Sequence, residues 1–130
     1  MDIFYFALRN EKYNCFLKED TMMPMMYMDD AMKATLNLME AEKSKIKINY
    51  SYNVAGFSFT PKEIYEEIKK YFPAFEIEYN PDFRQNIADS WVKSIDDTEA
   101  QRDWNWQPQF NFEEMVKTMI FHLKEKLGIS

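Results

Sequence analysis

Hydrophobic positions recur with the period of an α-helix in several stretches of this chain and alternate as in β-strands in others. The clearest helical stretch runs from Asn111 to Gly128, where apolar residues return every three or four positions. Asn111 and Glu114 are spaced as a capping box, and Gly128 is placed to end the helix. Its apolar positions are Phe112, Met115, Val116, Met119, Ile120, Leu123 and Leu127. We expect this helix to be a main contributor to the core.

A second helix is predicted to begin after Thr60. Thr60 is placed as the N-cap, Pro61 takes the first helical position, and Glu63 completes a capping box. Pro73 is expected to end the helix, since proline removes a backbone donor and clashes with the preceding turn. The inner stripe consists of Ile64, Ile68 and Phe72, and Phe59 is placed to pack against Ile64.

Three shorter helices complete the helical prediction. One lies at the N-terminus, around residues 3–8. Another is capped by Asp29 or Asp30 and continues to about Glu40, and a third is capped by Asp96 and passes through Arg102. The buried stripe predicted for the middle one consists of Met32, Leu36 and Met39.

Period-two alternation indicates strands between these helices. Residues 13–17 and 75–79 are predicted strands, and 47–56 is the strongest strand pattern in the chain. Residues 23–28 are limited by their proline to an extended or edge segment, and residues 81–92 have an irregular pattern. The fold class is therefore α/β, one small mixed unit of short strands and about five helices.

Composition narrows the functional classes. The chain has 130 residues, of which 46% are hydrophobic and 17% aromatic, so a folded domain with a core is expected. A net charge of −6 argues against nucleic-acid and anionic-membrane partners. Cys15 is the only cysteine, which favours a reducing compartment. With no apolar stretch near the roughly 20 residues of a membrane span, and no targeting segment, we expect an intracellular protein of the cytoplasm or, for a eukaryotic source, the mitochondrial matrix.

The reactive side chains do not form a metal or catalytic cluster in the sequence. His122 is the single histidine and falls on the flank of the last helix, so we interpret it as nonfunctional. The methionines between positions 22 and 32 favour core packing over Cu(I) binding. The acidic pairs at 29–30 and 96–97 are interpreted as helix caps. We predict neither catalytic nor metal-binding residues in this chain.

Three motifs carry a family resemblance. They are MMPMMYMDDAMKATLNLME at 22–40, FRQNIADSWVKSIDD at 83–97 and DWNWQP at 103–108. Together they resemble the C-terminal part of NAD-dependent L-threonine dehydrogenases, members of the extended short-chain dehydrogenase (epimerase/dehydratase) family. Two departures stand out: Val92 replaces a proline that usually follows the tryptophan, and Asn105 replaces a glycine.

The resemblance implies a substrate lobe without its Rossmann core. We expect residues 1–130 to form a single substrate-lobe-like domain, with the N-terminal dinucleotide-binding domain absent. A G-x-G-x-x-G phosphate turn needs three glycines, and the chain has only Gly56 and Gly128. NAD is thus the cofactor of the family, and no cofactor is predicted for this chain alone. Tyr65 and Lys69 match the family's Tyr-x-x-x-Lys pair, but we reject the match because it falls on a capped surface helix.

The resemblance also implies roles for two residues. Trp91 would help to close the pocket over threonine, and Arg84 would face the substrate carboxylate. In the family a hydride passes from the threonine β-carbon to NAD and gives 2-amino-3-ketobutyrate. We expect this chain to be the substrate-binding portion, inactive alone; the alternative is a stand-alone, non-enzymatic interaction domain. The expected partners are a nucleotide-binding half, an intact dehydrogenase subunit or a second copy of the chain.

Overall fold

The computed structural model describes residues 2–129 and confirms the α/β class. Within that range, helices and short strands follow in the order α1 (Ile3–Leu8), β1 (Tyr13–Cys15), β2 (Met23–Met25), α2 (Met28–Glu40), β3 (Phe57–Phe59), α3 (Pro61–Lys69), β4 (Ile77–Tyr79), α4 (Arg84–Asp89), α5 (Thr98–Trp104) and α6 (Phe112–Leu127). Met1 and Ser130, the ends of the predicted domain, lie outside the described residues.

The strands form two separate pairs. β1 runs parallel to β4, with Tyr13 opposite Ile77, and the pairing continues beyond the strands where the Asp82 N–H donates to the Phe16 carbonyl at 3.2 Å. This pairing places the start of α4 beside the end of β1. β2 runs antiparallel to β3. A Cβ on Gly56 would lie 2.7 Å from the Met25 carbonyl oxygen, so the entry to β3 requires glycine.

The main core forms where α1, α3 and α6 pack together with β3. Its buried members are Ile3, Phe4, Ala7, Phe59, Ile64, Ile68, Phe75, Met115, Val116, Ile120 and Leu123. The prediction for α6 is confirmed in its capping box, in the left-handed Gly128 that ends it, and in its buried stripe. Leu127 is the exception, since its side chain is exposed.

The helix after Thr60 also begins as predicted. Thr60 and Glu63 form the capping box with Pro61 at the first position. The helix ends at Lys69, and the Phe72 N–H still donates to the Ile68 carbonyl at 3.1 Å in the turn that follows. The predicted inner stripe is therefore retained at Ile64 and Ile68, which are buried in the main core.

A second, smaller core packs α2 against α5. Its buried members are Ala34, Ala100, Trp104 and Trp106, with Met26, Leu38, Ala41, Tyr52 and Val54 packed around them. Asp30 is also fully buried here, and its carboxylate accepts hydrogen bonds from the Gln109 and Phe110 backbone N–H groups at 2.8 and 2.9 Å. The prediction that Asp29 or Asp30 caps α2 was wrong, because Tyr27 occupies the N-cap and makes no side-chain cap bond.

Three other sequence predictions were wrong. Residues 47–56 form a connection without strand pairing, in which the Tyr52 hydroxyl accepts from the Lys47 and Ile48 N–H groups and donates to Asp103. Residues 84–89 form α4, although their pattern is irregular. The stripe predicted to be buried on α2 points away from both cores; Met32, Leu36 and Met39 are exposed.

Asp96 lies one residue before the N-cap position of α5, which is Asp97. Its carboxylate accepts from the Thr98 N–H at 3.0 Å and from the Thr98 hydroxyl at 2.6 Å, while Asp97 occupies the N-cap without a side-chain cap bond. These hydrogen bonds from Thr98 lower the pKa of Asp96. The helix extends two residues past the predicted Arg102, to Trp104.

Two tyrosines within the β1–β4 pair, Tyr13 and Tyr79, give the stability a pH dependence. Burial raises the pKa of Tyr13 and of Tyr79 to about 12, from an ordinary value of 10.0. The fold thus prefers the neutral phenols, and the stabilisation is complete below pH 10 and is lost as pH rises towards 12. We expect unfolding by urea to become easier over this window. In the double variant Tyr13→Phe/Tyr79→Phe this alkaline loss should be smaller; an unchanged profile would contradict the assignment.

Candidate functional site

Part of the motif at 83–97, including Trp91, borders a cleft, which we call the Trp91 cleft. It has a volume of about 200 Å³ and is lined by Lys18, Asp20, Thr21, Met22, Gln85, Ala88, Asp89, Trp91 and Lys93. One wall is the turn that leads into β2, and the opposite wall is α4 with the segment after it. Ligand pockets of proteins usually exceed about 300 Å³, so this cleft suits only a small solute.

Gln85 holds the two walls together. Its side chain is buried, and its Oε1 accepts from the Lys18 backbone N–H at 2.8 Å. The Thr21 hydroxyl lies 3.1 Å from Gln85 Nε2, which also donates to Asp89 Oδ1 at 2.6 Å. Sequence reasoning missed Gln85. The available signal was the spacing of Gln85 and Asp89, which places two polar groups on one side of a helical turn.

Trp91 stands on the rim of the cleft. α4 ends at Asp89, and the Trp91 N–H donates to the Ala88 carbonyl at 3.1 Å, while the Ser90 hydroxyl donates to the Ile87 carbonyl at 2.7 Å. These bonds fix the turn that presents the indole. The side chain remains 57% exposed, and its neighbour Val92, which replaces the usual proline, is 63% exposed. A large aromatic side chain left on a rim is typical of a surface that contacts something else.

Arg84 is the first residue of α4, and its side chain binds Asp82. Its guanidinium binds both carboxylate oxygens of Asp82, at 3.0 and 2.6 Å, and lies over the Phe16 ring with Cζ 3.4 Å from the centroid. The hydrogen bonds from Arg84 lower the pKa of Asp82, and the same pair raises the pKa of Arg84. Arg84 does not line the Trp91 cleft. The structure thus brings Trp91 to the cleft and places Arg84 at the other end of α4, and both roles stay predictions.

The segment after Trp91 borders a second cavity, of about 360 Å³. Its lining residues are Pro24, Met25, Met26, Val54, Ala55, Gly56, Phe57, Ser58, Ser94 and Ile95. The cavity is built on Ala55, whose N–H donates to Asp97 Oδ2 at 3.2 Å and whose carbonyl accepts from Trp106 Nε1 at 3.1 Å. The 91–95 segment therefore borders both cavities, with Trp91 and Lys93 at the Trp91 cleft and Ser94 and Ile95 at the second cavity.

The left-handed Asn105 ends α5 just before Trp106. Its φ is 57°, and its N–H donates to the Gln101 carbonyl at 3.1 Å. The resemblance places glycine here, and asparagine is among the few other residues that adopt this conformation without a large steric cost. Asn105 therefore adopts a conformation that is also open to glycine.

The residues present do not fit a dinucleotide. Gly56 serves the close contact between β2 and β3, and Gly128 ends α6, so neither belongs to a strand-to-helix phosphate turn. The sheets found between residues 2 and 129 have only two strands each, whereas a Rossmann fold is built on an extended parallel sheet of many strands. We therefore derive no step through NAD from this chain.

The Tyr65–Lys69 pair, which matches the Tyr-x-x-x-Lys spacing of the family, is engaged in local hydrogen bonds. Lys69 Nζ donates to the Tyr65 hydroxyl at 2.8 Å, and that hydroxyl donates to the Phe75 carbonyl at 3.3 Å, so the pair is used within the surface of α3. No group of three or more metal-ligating side chains occurs among the described residues. Over the same range, no helix is both long and apolar enough to cross a membrane.

Comparison with known proteins gives a consistent result. No protein-family model matches the chain. It is 43% identical over 127 residues to the mitochondrial L-threonine 3-dehydrogenase of Bos taurus, a match that covers 96% of this chain and 34% of that protein. It superposes on the apo form of a GalE-like L-threonine dehydrogenase from Cupriavidus necator with a TM-score of 0.92 and 51% identity, over 95% of this chain and 45% of that one.

This chain corresponds to the C-terminal part of the L-threonine 3-dehydrogenases and of the wider epimerase/dehydratase family. The predicted resemblance is confirmed. The L-threonine dehydrogenase of Clostridium difficile gives a TM-score of 0.94 at 43% identity, over 100% of this chain and 41% of that one. The chain thus spans between about a third and just under half of the length of these relatives.

Proposed function

We propose that this chain is the substrate-binding portion of an L-threonine 3-dehydrogenase and works together with a nucleotide-binding half. The observation that carries the proposal is the match to the Cupriavidus necator L-threonine dehydrogenase, which takes in 95% of this chain. Its expected compartment is the cytoplasm or, for a eukaryotic source, the mitochondrial matrix, as in the name of the Bos taurus enzyme.

In this proposal the Trp91 cleft contributes one side of the threonine pocket. The indole offers an apolar face to the substrate methyl group, while the buried side chains of Thr21 and Gln85, which are hydrogen-bonded to each other, hold the two walls of the cleft together. Arg84 would bind the threonine carboxylate only if its guanidinium released Asp82 at least in part, because Nε and Nη2 both donate to the Asp82 carboxylate. In this proposal the oxidation itself uses the NAD of the family, held by the nucleotide-binding half.

The first test is activity alone and in trans. The purified chain with L-threonine and NAD should form no NADH. Adding the separately expressed N-terminal part of the Cupriavidus necator enzyme, the portion that this chain does not match, should restore NADH formation. NADH produced by the chain alone, or none produced by the mixture despite complex formation, would contradict the proposal.

Substitution of Trp91 tests the site within the restored enzyme. Trp91→Ala should lower kcat/KM for threonine about tenfold, the equivalent of about 1.4 kcal/mol, and Trp91→Phe should retain most of it because the apolar face remains. The matched control is Val92→Ala, at a neighbouring residue that is 63% exposed. All three variants should unfold at nearly the same urea concentration, since exposed side chains contribute little to stability. Equal kcat/KM values for Trp91→Ala and the wild type would remove Trp91 from the site.

The second candidate function is a non-enzymatic interaction domain. It is favoured by the number of large apolar side chains exposed on one small chain, among them Phe83, Ile87, Phe121 and those of α2. Under this reading the chain binds a dehydrogenase subunit without restoring oxidation. Stable complex formation with an intact L-threonine dehydrogenase, together with failure to complement the separate half, would favour it.

A further inference from the structure

One face of α2 is apolar and exposed along its whole length. We call this the α2 face; it consists of Met28, Met32, Leu36 and Met39, which are 68%, 60%, 54% and 76% exposed. Thr35 completes the stripe and is uncharged. Spacings of four, four and three residues place these side chains on one side of the helix.

The opposite side of the same helix is already packed. Asp30 and Ala34 are buried there, and Leu38 packs against the second core. The helix thus buries a carboxylate and a methyl group while it exposes three methionines and a leucine. Such an inversion is unusual for a surface helix, because the larger apolar side chains normally face the core. The sequence pattern predicted burial of this face, and within residues 2–129 nothing covers it.

We propose that the α2 face is the surface on which the nucleotide-binding half docks; the inference rests on the proposed function. The relatives supply the occupant, because this chain accounts for 34% of the Bos taurus protein and 45% of the Cupriavidus necator chain. More than half of each relative therefore lies outside the matched part and must contact it somewhere. Methionine-rich faces adapt to the shape of a partner and are common on binding surfaces.

A second copy of the chain fits this face less well. α2 has 13 residues, so the helix is about 20 Å long. Two such helices alone bury less than the roughly 1,200 Å² at the lower limit of stable dimers. Each copy would also bring a net charge of −6 towards the other. The nucleotide-binding half is larger than this chain in both relatives, so its contact can extend beyond α2.

The experiment uses this full chain and the N-terminal part of the Cupriavidus necator enzyme described above. Met32→Glu and Leu36→Glu place a carboxylate on the α2 face, and Tyr71→Glu is the matched control, at an apolar residue that is 44% exposed outside α2. Binding is measured by calorimetry and by hydrogen exchange of the α2 amides. Each α2 variant should bind at least about tenfold more weakly, Tyr71→Glu should bind like the wild type, and the α2 amides should be protected in the wild-type complex.

Circular dichroism of the free variants supplies the folding control. Because both residues are exposed, Met32→Glu and Leu36→Glu should melt like the wild type; a large loss of stability would mean that the face is buried within the chain and would overturn the docking surface. Equal binding by the α2 variants, unprotected α2 amides, or no binding by the wild type would overturn it as well. A free dimer that Met32→Glu dissociates would assign the face to a second copy instead.

The two proposals fail in different ways. If the α2 amides are protected in the complex but no threonine is oxidised, the docking surface stands and the proposed function fails. If oxidation is restored equally by the wild type and by Met32→Glu, the proposed function stands and the docking surface fails.

Discussion

Replacing Trp106 with alanine should destabilise the chain by about 3–5 kcal/mol, the range for removal of a buried aromatic side chain. Trp106 has no exposed surface and lies at the centre of the second core, 5.8 Å from the Trp104 ring. Its Nε1 also donates to the Ala55 carbonyl. The substitution therefore removes packing and releases the segment that forms the floor of the cavity next to the Trp91 cleft.

Trp106→Phe separates these two contributions. Phenylalanine keeps much of the apolar volume but cannot donate to Ala55, so its cost should be about 1–2 kcal/mol. Urea unfolding followed by tryptophan fluorescence and by circular dichroism measures both variants. A cost below about 1 kcal/mol for Trp106→Ala would mean that the second core contributes little to the fold.

Replacing Asp30 with alanine should cost about 3 kcal/mol, although it removes a charge from a chain that is already acidic. The buried carboxylate is stabilised by two backbone donors, at Gln109 and Phe110, and by its position in the first turn of α2. Hydrogen bonds to a charged group contribute about 1.5–3 kcal/mol, and unpaired backbone donors are costly to bury. Alanine leaves both N–H groups without their acceptor.

The neighbouring Asp29 provides the control. It also lies in the first turn of α2 but is exposed, so Asp29→Ala should cost less than about 1 kcal/mol. Asp30→Asn should fall between the two, because an amide retains one acceptor oxygen and turns a donor towards a backbone N–H. Equal unfolding free energies for Asp29→Ala and Asp30→Ala would show that Asp30 is not the link between α2 and the loop at 109–110.

Trp106→Ala and Asp30→Ala both weaken the attachment of α2 to the 105–110 loop. The second core and Asp30 attach α2 to the 105–110 loop, and through Ala55 and Asp97 the same region holds the wall at 91–95. Neither residue lines the Trp91 cleft. Their loss should therefore weaken the site indirectly, by releasing the segments that shape it, and the α2 face should lose its orientation at the same time.

Local signals in the sequence were sufficient where the interacting groups are close along the chain. The capping boxes at Thr60 and Asn111 join residues three positions apart, and the left-handed Gly128 follows directly from helix geometry. A strand was predicted at 75–79 and is found as β4 at Ile77–Tyr79, because alternation reflects the strand's own exposed and buried sides. The family resemblance depended on motifs of this local kind.

The site needed contacts that no local pattern encodes. Gln85 is hydrogen-bonded to Lys18 and Thr21, which lie 67 and 64 positions earlier in the chain. Tyr52 is hydrogen-bonded to Asp103, which lies 51 positions later. Residues 47–56, which include Tyr52, form no strand pair in spite of their strand pattern. α4 was missed because a six-residue helix whose buried residues are Gln85 and Ala88 has no hydrophobic stripe to recognise.

The sequence by itself determined the α/β class, the principal helix boundaries and the family, because caps, periodicity and motifs depend on neighbours within a few residues. Only the tertiary structure decided which apolar stripe is buried. Periodicity reveals that α2 has an apolar side but not what lies against it, and the packing of Asp30 and Ala34 on the second core turned that side outwards. Burial depends on the groups that a face meets, and in the second core these groups are distant in sequence.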